Sequence, residues 1–320
     1  MIRSSLRKLK NILVGYSDSR THAALDALPN KGVVTLVDIG AAGEIQPRWQ
    51  PYTSNIEYIG FEPDKRSRDT ISNRQTDFLD YRILPFALSG STETATLNLC
   101  RKPQVSSLYE PNRNFLNRFP EAERFDVLEQ LDFDCVTLDS VGLHKLDFLK
   151  IDIQGAANDV LRGANDSLDL AFGLEIEVEF MDLYLNQPLF GDVCRQMTSK
   201  GFEFLDFVDL ARWQRKAYNG FGQCICGDAL FLKTPESLEM QTLDVTRISA
   251  YLSILMIYRR FDLVQKALDL IEEDKRSQFD SFEQAFHKVK NRNAFVRKIF
   301  SLMDRVIRCF GSNYRLHLFE

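Results

Sequence analysis

The chain has 320 residues and a net charge of −5, with 44% hydrophobic and 27% charged side chains. That balance excludes disordered, collagen-like and coiled-coil classes, and the length suits one large α/β domain with a smaller appendage. No apolar segment is long enough to span a bilayer, because the best candidate, 248–271, is interrupted by Arg259, Arg260 and Asp262.

Residues 1–30 read as a helix and a linker. Arg3, Arg7, Lys8 and Lys10 interleave with Ile2, Leu6, Leu9 and Leu13, which suits a basic amphipathic helix. It can pack on a sheet edge or make a peripheral contact with an anionic membrane. No secretory leader is expected here.

Val33, Val34, Leu36, Val37 and Ile39 form a nearly continuous apolar run, as in a strand buried on both faces of a parallel sheet. The run carries Asp38 and leads into Gly40, Ala41, Ala42 and Gly43, a turn without bulky side chains that lets a ligand approach the backbone. A second strand, 56–61, ends in Glu62 and Pro63, and Glu62 stands 24 residues after Asp38. A carboxylate at that tip can accept hydrogen bonds from both hydroxyls of an adenosine ribose. The dinucleotide fingerprint GxGxxG is absent, which makes an NAD- or FAD-dependent oxidoreductase a distant alternative.

Residues 65–80 are expected to be helical, 81–88 a third strand and 94–100 an extra one. The end of a third strand usually faces the cofactor base, so Ala87 and Leu88 are candidates for an apolar adenine wall. Residues 101–130, with Pro103, Pro111 and Pro120, read as a loop-rich excursion, either a substrate lid or surface decoration. A strand over 147–153 carries Asp152, and 158–168 reads as its crossover helix. In the strand 172–180, Glu175, Glu177 and Glu179 alternate with Ile176 and Val178. Two readings stand: an interior strand whose carboxylates reach a ligand, or an edge strand with a solvated acidic face. A helix over 189–200, a strand over 202–208 and a strand over 228–232 follow, the last two forming a long antiparallel hairpin.

From Asp244 the period becomes helical. Tyr251, Leu255 and Tyr258 share one face, as do Phe295, Ile299, Leu302, Val306 and Phe310. This tail carries 14 Lys and Arg against 10 Asp and Glu, so it is +4 while the first 243 residues are −9. The split suggests a segment with its own partner surface, and a homo-oligomer is one use for it. The acidic remainder would repel nucleic acid. Six cysteines without CxxC pairs or a disulfide framework fit reduced thiols in a cytoplasmic protein.

The separated blocks VDIGAAG, GFEPD, SSLYEPN, VTLDS, LKIDIQGAANDVLRGA, EIEVEFMDLYLNQPLF and DALFLK resemble, in order, the FkbM family of S-adenosylmethionine-dependent methyltransferases. The resemblance implies a class I methyltransferase-like, Rossmann-like, doubly wound, mostly parallel seven-stranded sheet with an antiparallel last strand, plus a helical C-terminal extension. The expected organisation is a helix and linker over 1–30, a methyltransferase domain over 31–235 and the extension over 236–320. S-adenosylmethionine is expected over Asp38, Gly40, Ala41, Gly43, Glu62, Pro63, Ala87 and Leu88. Asp152, Glu177 and Glu179 are the candidates for catalysis. Asp152 and Glu177 could alternatively hold a divalent cation, for which all-carboxylate ligands favour magnesium or calcium. The implied activity is O-methylation of a hydroxyl on a small molecule or glycan. Two departures, the short glycine turn and Ala157 where an acidic residue is common, motivate the alternative of an inactive methyltransferase-like binding module.

Overall fold

The computed structural model describes residues 19–43, 45–72, 77–216 and 222–290. The basic amphipathic helix expected at the start of the chain and the apolar face from Phe295 to Phe310 lie outside them. Among the described residues no helix is long and apolar enough to cross a membrane.

Two compact units form, one from Val34–Ile45 and Ile56–Leu238, the other from the described parts of Met1–Val33 and Glu239–Glu320 with Gln46–Asn55. The first contains a seven-stranded sheet. In chain order its strands are β1 (Val34–Ile39), β2 (Ile56–Phe61), β3 (Asp80–Leu84), β7 (Phe148–Ile151), β8 (Gly173–Glu179), β9 (Glu203–Trp213) and β10 (Gln223–Leu232). They lie side by side as β3-β2-β1-β7-β8-β10-β9, and β10 alone runs antiparallel to its neighbours. A second sheet joins β4 (Ala87–Leu88), β6 (Val127–Val136) and β5 (Glu93–Cys100), with β6 in the middle.

The central strands follow from their composition. Every residue of β1 is buried, and Val37, Ile39, Leu149, Ile151, Leu174, Ile176 and Val178 contribute to one continuous core. Transferring such side chains from water contributes about 1.5–3 kcal/mol each. The opposite face is different. Adjacent strands set Asp38 against Lys150 and Lys150 against Glu175, a row of alternating charge across the interior.

Three expectations need correction. The third strand does not run to Leu88: it ends at Leu84, because Pro85 lacks the N–H to continue the ladder, and Ala87 and Leu88 pair instead with Cys135 and Val136. The crossover helix is two helices, Ala157–Arg162 and Asn165–Leu170. They part at Gly163, where a Cβ would lie 2.6 Å from the Ser89 carbonyl oxygen, and Asp139 Oδ1 accepts the Ser167 N–H at 2.8 Å to start the second. The excursion after 101 gives way at Val127 to a full strand whose polar residues make ladder contacts, Thr94 donating to Asp134 and Thr96 to Asp132. Of the two positions left open for β8, the interior one is found: it lies between β7 and β10, so its glutamates do not form a solvated edge.

In the second unit the helix Val245–Ile257 is almost wholly buried, begun by Asp244 accepting the Arg247 N–H at 2.8 Å. Ser253 donates to the Gly32 carbonyl at 2.8 Å, and Trp49 meets Tyr258 edge to face.

Candidate active site

The candidate residues gather at the strand tips. β1 ends at Gly40, whose φ is +86° and where a Cβ would lie 2.0 Å from the Asp152 carbonyl oxygen. Only glycine fits such a position. The N–H groups of Gly40 and Ala41 both donate to the Phe61 carbonyl at 3.1 Å, which commits them to tying the turn to the end of β2. Ala41 is buried against Gly60, whereas a Cβ on Gly43 would meet nothing within 4 Å among the described residues.

Glu62 follows β2 directly. Its N–H donates to the Leu84 carbonyl at 3.1 Å, and its Oε1 accepts the Asp64 N–H at 2.8 Å. Arg68 donates to the carbonyls of Glu62 and Pro63 and braces the bend. Burial holds the Glu62 carboxyl above the usual range, with Asp64 and Asp38 pushing the same way and the Asp64 N–H and Arg68 opposing. Asp38 sits deeper: its Oδ2 accepts the Tyr58 hydroxyl at 2.7 Å and its Oδ1 lies 3.3 Å from Lys150 Nζ.

Lys150 joins the two halves of the site, because its Nζ is also 3.5 Å from Asp152 Oδ2. Burial works against its charge, but Asp38, Asp152 and Glu175 outweigh that penalty and drive its pKa up. Beyond Asp152 the chain turns through Gln154 and Gly155, both left-handed, with φ of +51° and +89°. Gln154 Nε2 donates to Glu177 Oε2 at 2.6 Å and to Asp152 Oδ1 at 3.4 Å. Tyr184, fully buried, donates to the Val105 carbonyl at 2.9 Å and reaches Gln154 Oε1 at 3.2 Å.

Glu177 and Glu179 share one face of β8. Burial raises both; Asp152, Glu179 and Asp228 add to the effect at Glu177, which rises well above the carboxylate range. Glu179 rises to about 8, burial outweighing the backbone N–H groups of Glu179 and Gly155 that stabilise its charge. Asp228 stands opposite Glu177 on β10.

The structure therefore brings Asp38, Gly40, Ala41, Gly43, Glu62 and Pro63 to the tips of β1 and β2, and Asp152, Glu177 and Glu179 to those of β7 and β8. Ala87 and Leu88 go elsewhere: they form the short strand of the second sheet, and Leu88 is part of the main core. Asp152 and Glu177, the pair named for a divalent cation, meet at one amide. Among the described residues no group of three or more His, Cys, Asp or Glu is arranged to hold a metal. Sequence reasoning passed over Lys150, Gln154, Ser107 and Tyr184. None of the four carries a signal in the sequence by which its place in the site could be read.

A parallel sheet in this order, closed by one antiparallel strand and bearing a glycine turn after β1 and an acid after β2, defines a Rossmann-like methyltransferase fold. The profile of the methyltransferase FkbM domain matches residues 38–204, more than half of the chain, and the chain belongs to this methyltransferase family. No curated protein matches it. Among solved structures, the methyltransferase FkbM from Methylobacillus flagellatus KT is 14% identical over 63% of this chain and 44% of that one, with a TM-score of 0.39. The chain thus spans less than half the length of that protein. The magnesium protoporphyrin IX methyltransferase (ChlM) from Synechocystis PCC 6803, solved with bound SAM, is 8% identical over 72% of this chain and 79% of that one, with a TM-score of 0.35. The 23S rRNA methyltransferase ErmE is 10% identical over 83% and 96%, with a TM-score of 0.32.

Proposed function

We propose that the protein is an S-adenosylmethionine-dependent O-methyltransferase that acts on a hydroxyl of a sugar, glycan or secondary metabolite. The observation that carries this reading is the meeting, at adjoining strand tips, of a glycine turn that admits no side chain at Gly40, a buried acid at Glu62 and a carboxylate group at Asp152, Glu177 and Glu179.

The cofactor fits these residues. Gly43 leaves room for a close approach to the turn, and Glu62 has one oxygen fixed by Asp64 so that its carboxylate presents a set orientation to ribose hydroxyls. Bound there, S-adenosylmethionine supplies a sulfonium methyl group that an acceptor oxygen can take, leaving a thioether. The protein's work is alignment, which contributes about 7–11 kcal/mol in well-oriented reactions. Asp152 stays partly exposed and takes the hydroxyl proton as the oxygen–carbon bond forms; a base of this kind adds about 10²–10⁴ in rate. Glu177 shares the Gln154 amide with it and so helps to fix its orientation. Free thiols at Cys100, Cys135, Cys194, Cys224 and Cys226 suit work in the cytoplasm.

Calorimetric titration with S-adenosylmethionine, S-adenosylhomocysteine and NAD tests the reading. Saturable binding of the first two and none of NAD is expected, with Glu62→Ala weakening binding by about 1–3 kcal/mol because ribose hydroxyls lose a buried partner. Failure of a folded sample to bind either sulfur compound overturns the proposal.

A further inference from the structure

We infer that Gln154 is the positioning residue of the acceptor site: its single side-chain amide sets the Asp152 and Glu177 carboxyl groups against each other, and it is held for that task from behind by Tyr184 and Ser107. The inference rests on the methyl-transfer reading above and adds to it the residue that orders the proton-accepting Asp152 against its neighbour Glu177.

The backbone gives the first reason. Gln154 has a φ of +51°, in the left-handed region that L-residues other than asparagine and aspartate seldom adopt. Backbone geometry alone would favour glycine or asparagine here. A glutamine at such a position is explained by its side chain, which is long enough to reach across from β7 to β8.

The side chain gives the second. Its Nε2 lies 2.6 Å from Glu177 Oε2 and 3.4 Å from Asp152 Oδ1, so one donor group spans two strands. On the other side Oε1 faces the Tyr184 hydroxyl at 3.2 Å, and the main-chain carbonyl accepts the Ser107 hydroxyl at 2.6 Å. Ser107 and Tyr184 are completely buried, so both anchors are rigid. The Tyr184 ring also flanks Gly155, where a Cβ would lie 3.4 Å from Cδ2. Around Glu177 the ionisable groups are Asp152 just after β7, Glu179 on its own strand, Asp228 and Cys226 on β10, and Tyr184. Most of these repel its charge, and the Gln154 amide supplies a donor that orients it.

The test uses the full chain and Gln154→Gly, which relieves the left-handed backbone while deleting the amide, so a folding defect is not expected. Affinity for S-adenosylhomocysteine is read first. No binding by the wild type overturns the methyl-transfer reading, and this inference falls with it; normal binding isolates the role of Gln154. In the variant the affinity is expected to stay within about twofold, while kcat on a methyl glycoside turned over by the wild type falls about 10²-fold with KM little changed. Wild-type kcat in the variant overturns the inference. A second readout needs no acceptor. With ¹³C-labelled glutamate, the carboxyl resonance of Glu177, identified by its absence from Glu177→Gln, is expected to move in Gln154→Gly at fixed pH. A resonance that stays in place overturns the inference as well.

Discussion

Alanine at Gly40 and alanine at Gly43 are expected to have opposite effects, although the two glycines share one turn. At Gly40 the new methyl would sit 2.0 Å from the Asp152 carbonyl oxygen and 3.1 Å from Ile153 Cγ2, on a backbone with φ of +86°. The left-handed conformation costs a non-glycine residue about 1–3 kcal/mol. Forcing a methyl group against packed backbone costs about as much again. Together the loss is about 2–6 kcal/mol, a large share of the roughly 5–15 kcal/mol by which domains are stable. At Gly43 the methyl meets nothing within 4 Å among the described residues, so stability should change by no more than about 0.5 kcal/mol. If the cofactor approaches this turn, that same methyl stands in its way and weakens S-adenosylhomocysteine by about 1–3 kcal/mol, or about 5- to 150-fold. Thermal unfolding followed by circular dichroism and calorimetric titration measure the two effects separately. Gly40→Ala melting with the wild type would refute the packing argument, and Gly43→Ala binding with wild-type affinity would refute the location of the cofactor.

Three further outcomes follow from the same geometry. Glu179 is held protonated in the fold up to about pH 8 against an ordinary value of 4.5, so the folded state carries the extra proton between those limits. Its contribution is therefore greatest below pH 4.5 and is lost as pH rises through 8, by as much as about 5 kcal/mol. Glu179→Gln should flatten the decline in melting temperature between pH 5 and 8, and an unchanged slope would count against the assignment. Asp152→Asn is expected to lower kcat about 10²- to 10⁴-fold while leaving S-adenosylhomocysteine affinity near wild type, and retention of kcat would remove Asp152 as the base. With the Asp152 carboxylate proposed at the acceptor side and Asp228 opposite Glu177, a uronic acid should be a poorer acceptor than the matching neutral glycoside by at least about tenfold, and equal kcat/KM would contradict the electrostatic reading.

Strands buried on both faces were legible because their composition has no other use. β1 and β2 are mostly apolar, and the Gly40 and Glu62 that follow them could be read directly. The β6 strand was harder: Leu131, Phe133 and Cys135 alternate with Asp132 and Asp134, but two consecutive polar residues, Glu129 and Gln130, disguise the period. The course after Leu84 depended on Pro85 diverting the chain to a partner more than forty residues away, which no local pattern records. In the site, carboxylates were visible as residue types at strand tips. Their common dependence on Gln154 was not, because a glutamine has no signature until its backbone is seen to be left-handed. Likewise Glu175, Glu177 and Glu179 suited an edge strand as well as an interior one until β10 was found beside them.

The buried charge row explains why the two halves of the site stay in register. Asp38, Lys150 and Glu175 cross three adjacent strands, and ion pairs so placed are weak contributors to stability because desolvation offsets their attraction. They nevertheless penalise any slippage, since a shift of one residue would leave a charge buried without its partner and send its neighbours to the opposite face. Lys150 is the pivot. It lies 3.3 Å from Asp38, on the strand that ends in the glycine turn, and 3.5 Å from Asp152, at the tip where the acceptor is proposed to bind. One cation thus links the strand that leads to the cofactor turn with the carboxylate that would receive the proton. The Gly40 contact fixes the same spacing sterically, because the Asp152 carbonyl occupies the space a side chain there would need. Electrostatics and close packing act on the same pair of strand ends, and in a reaction that depends on alignment an error of about 1 Å costs about 10²-fold in rate.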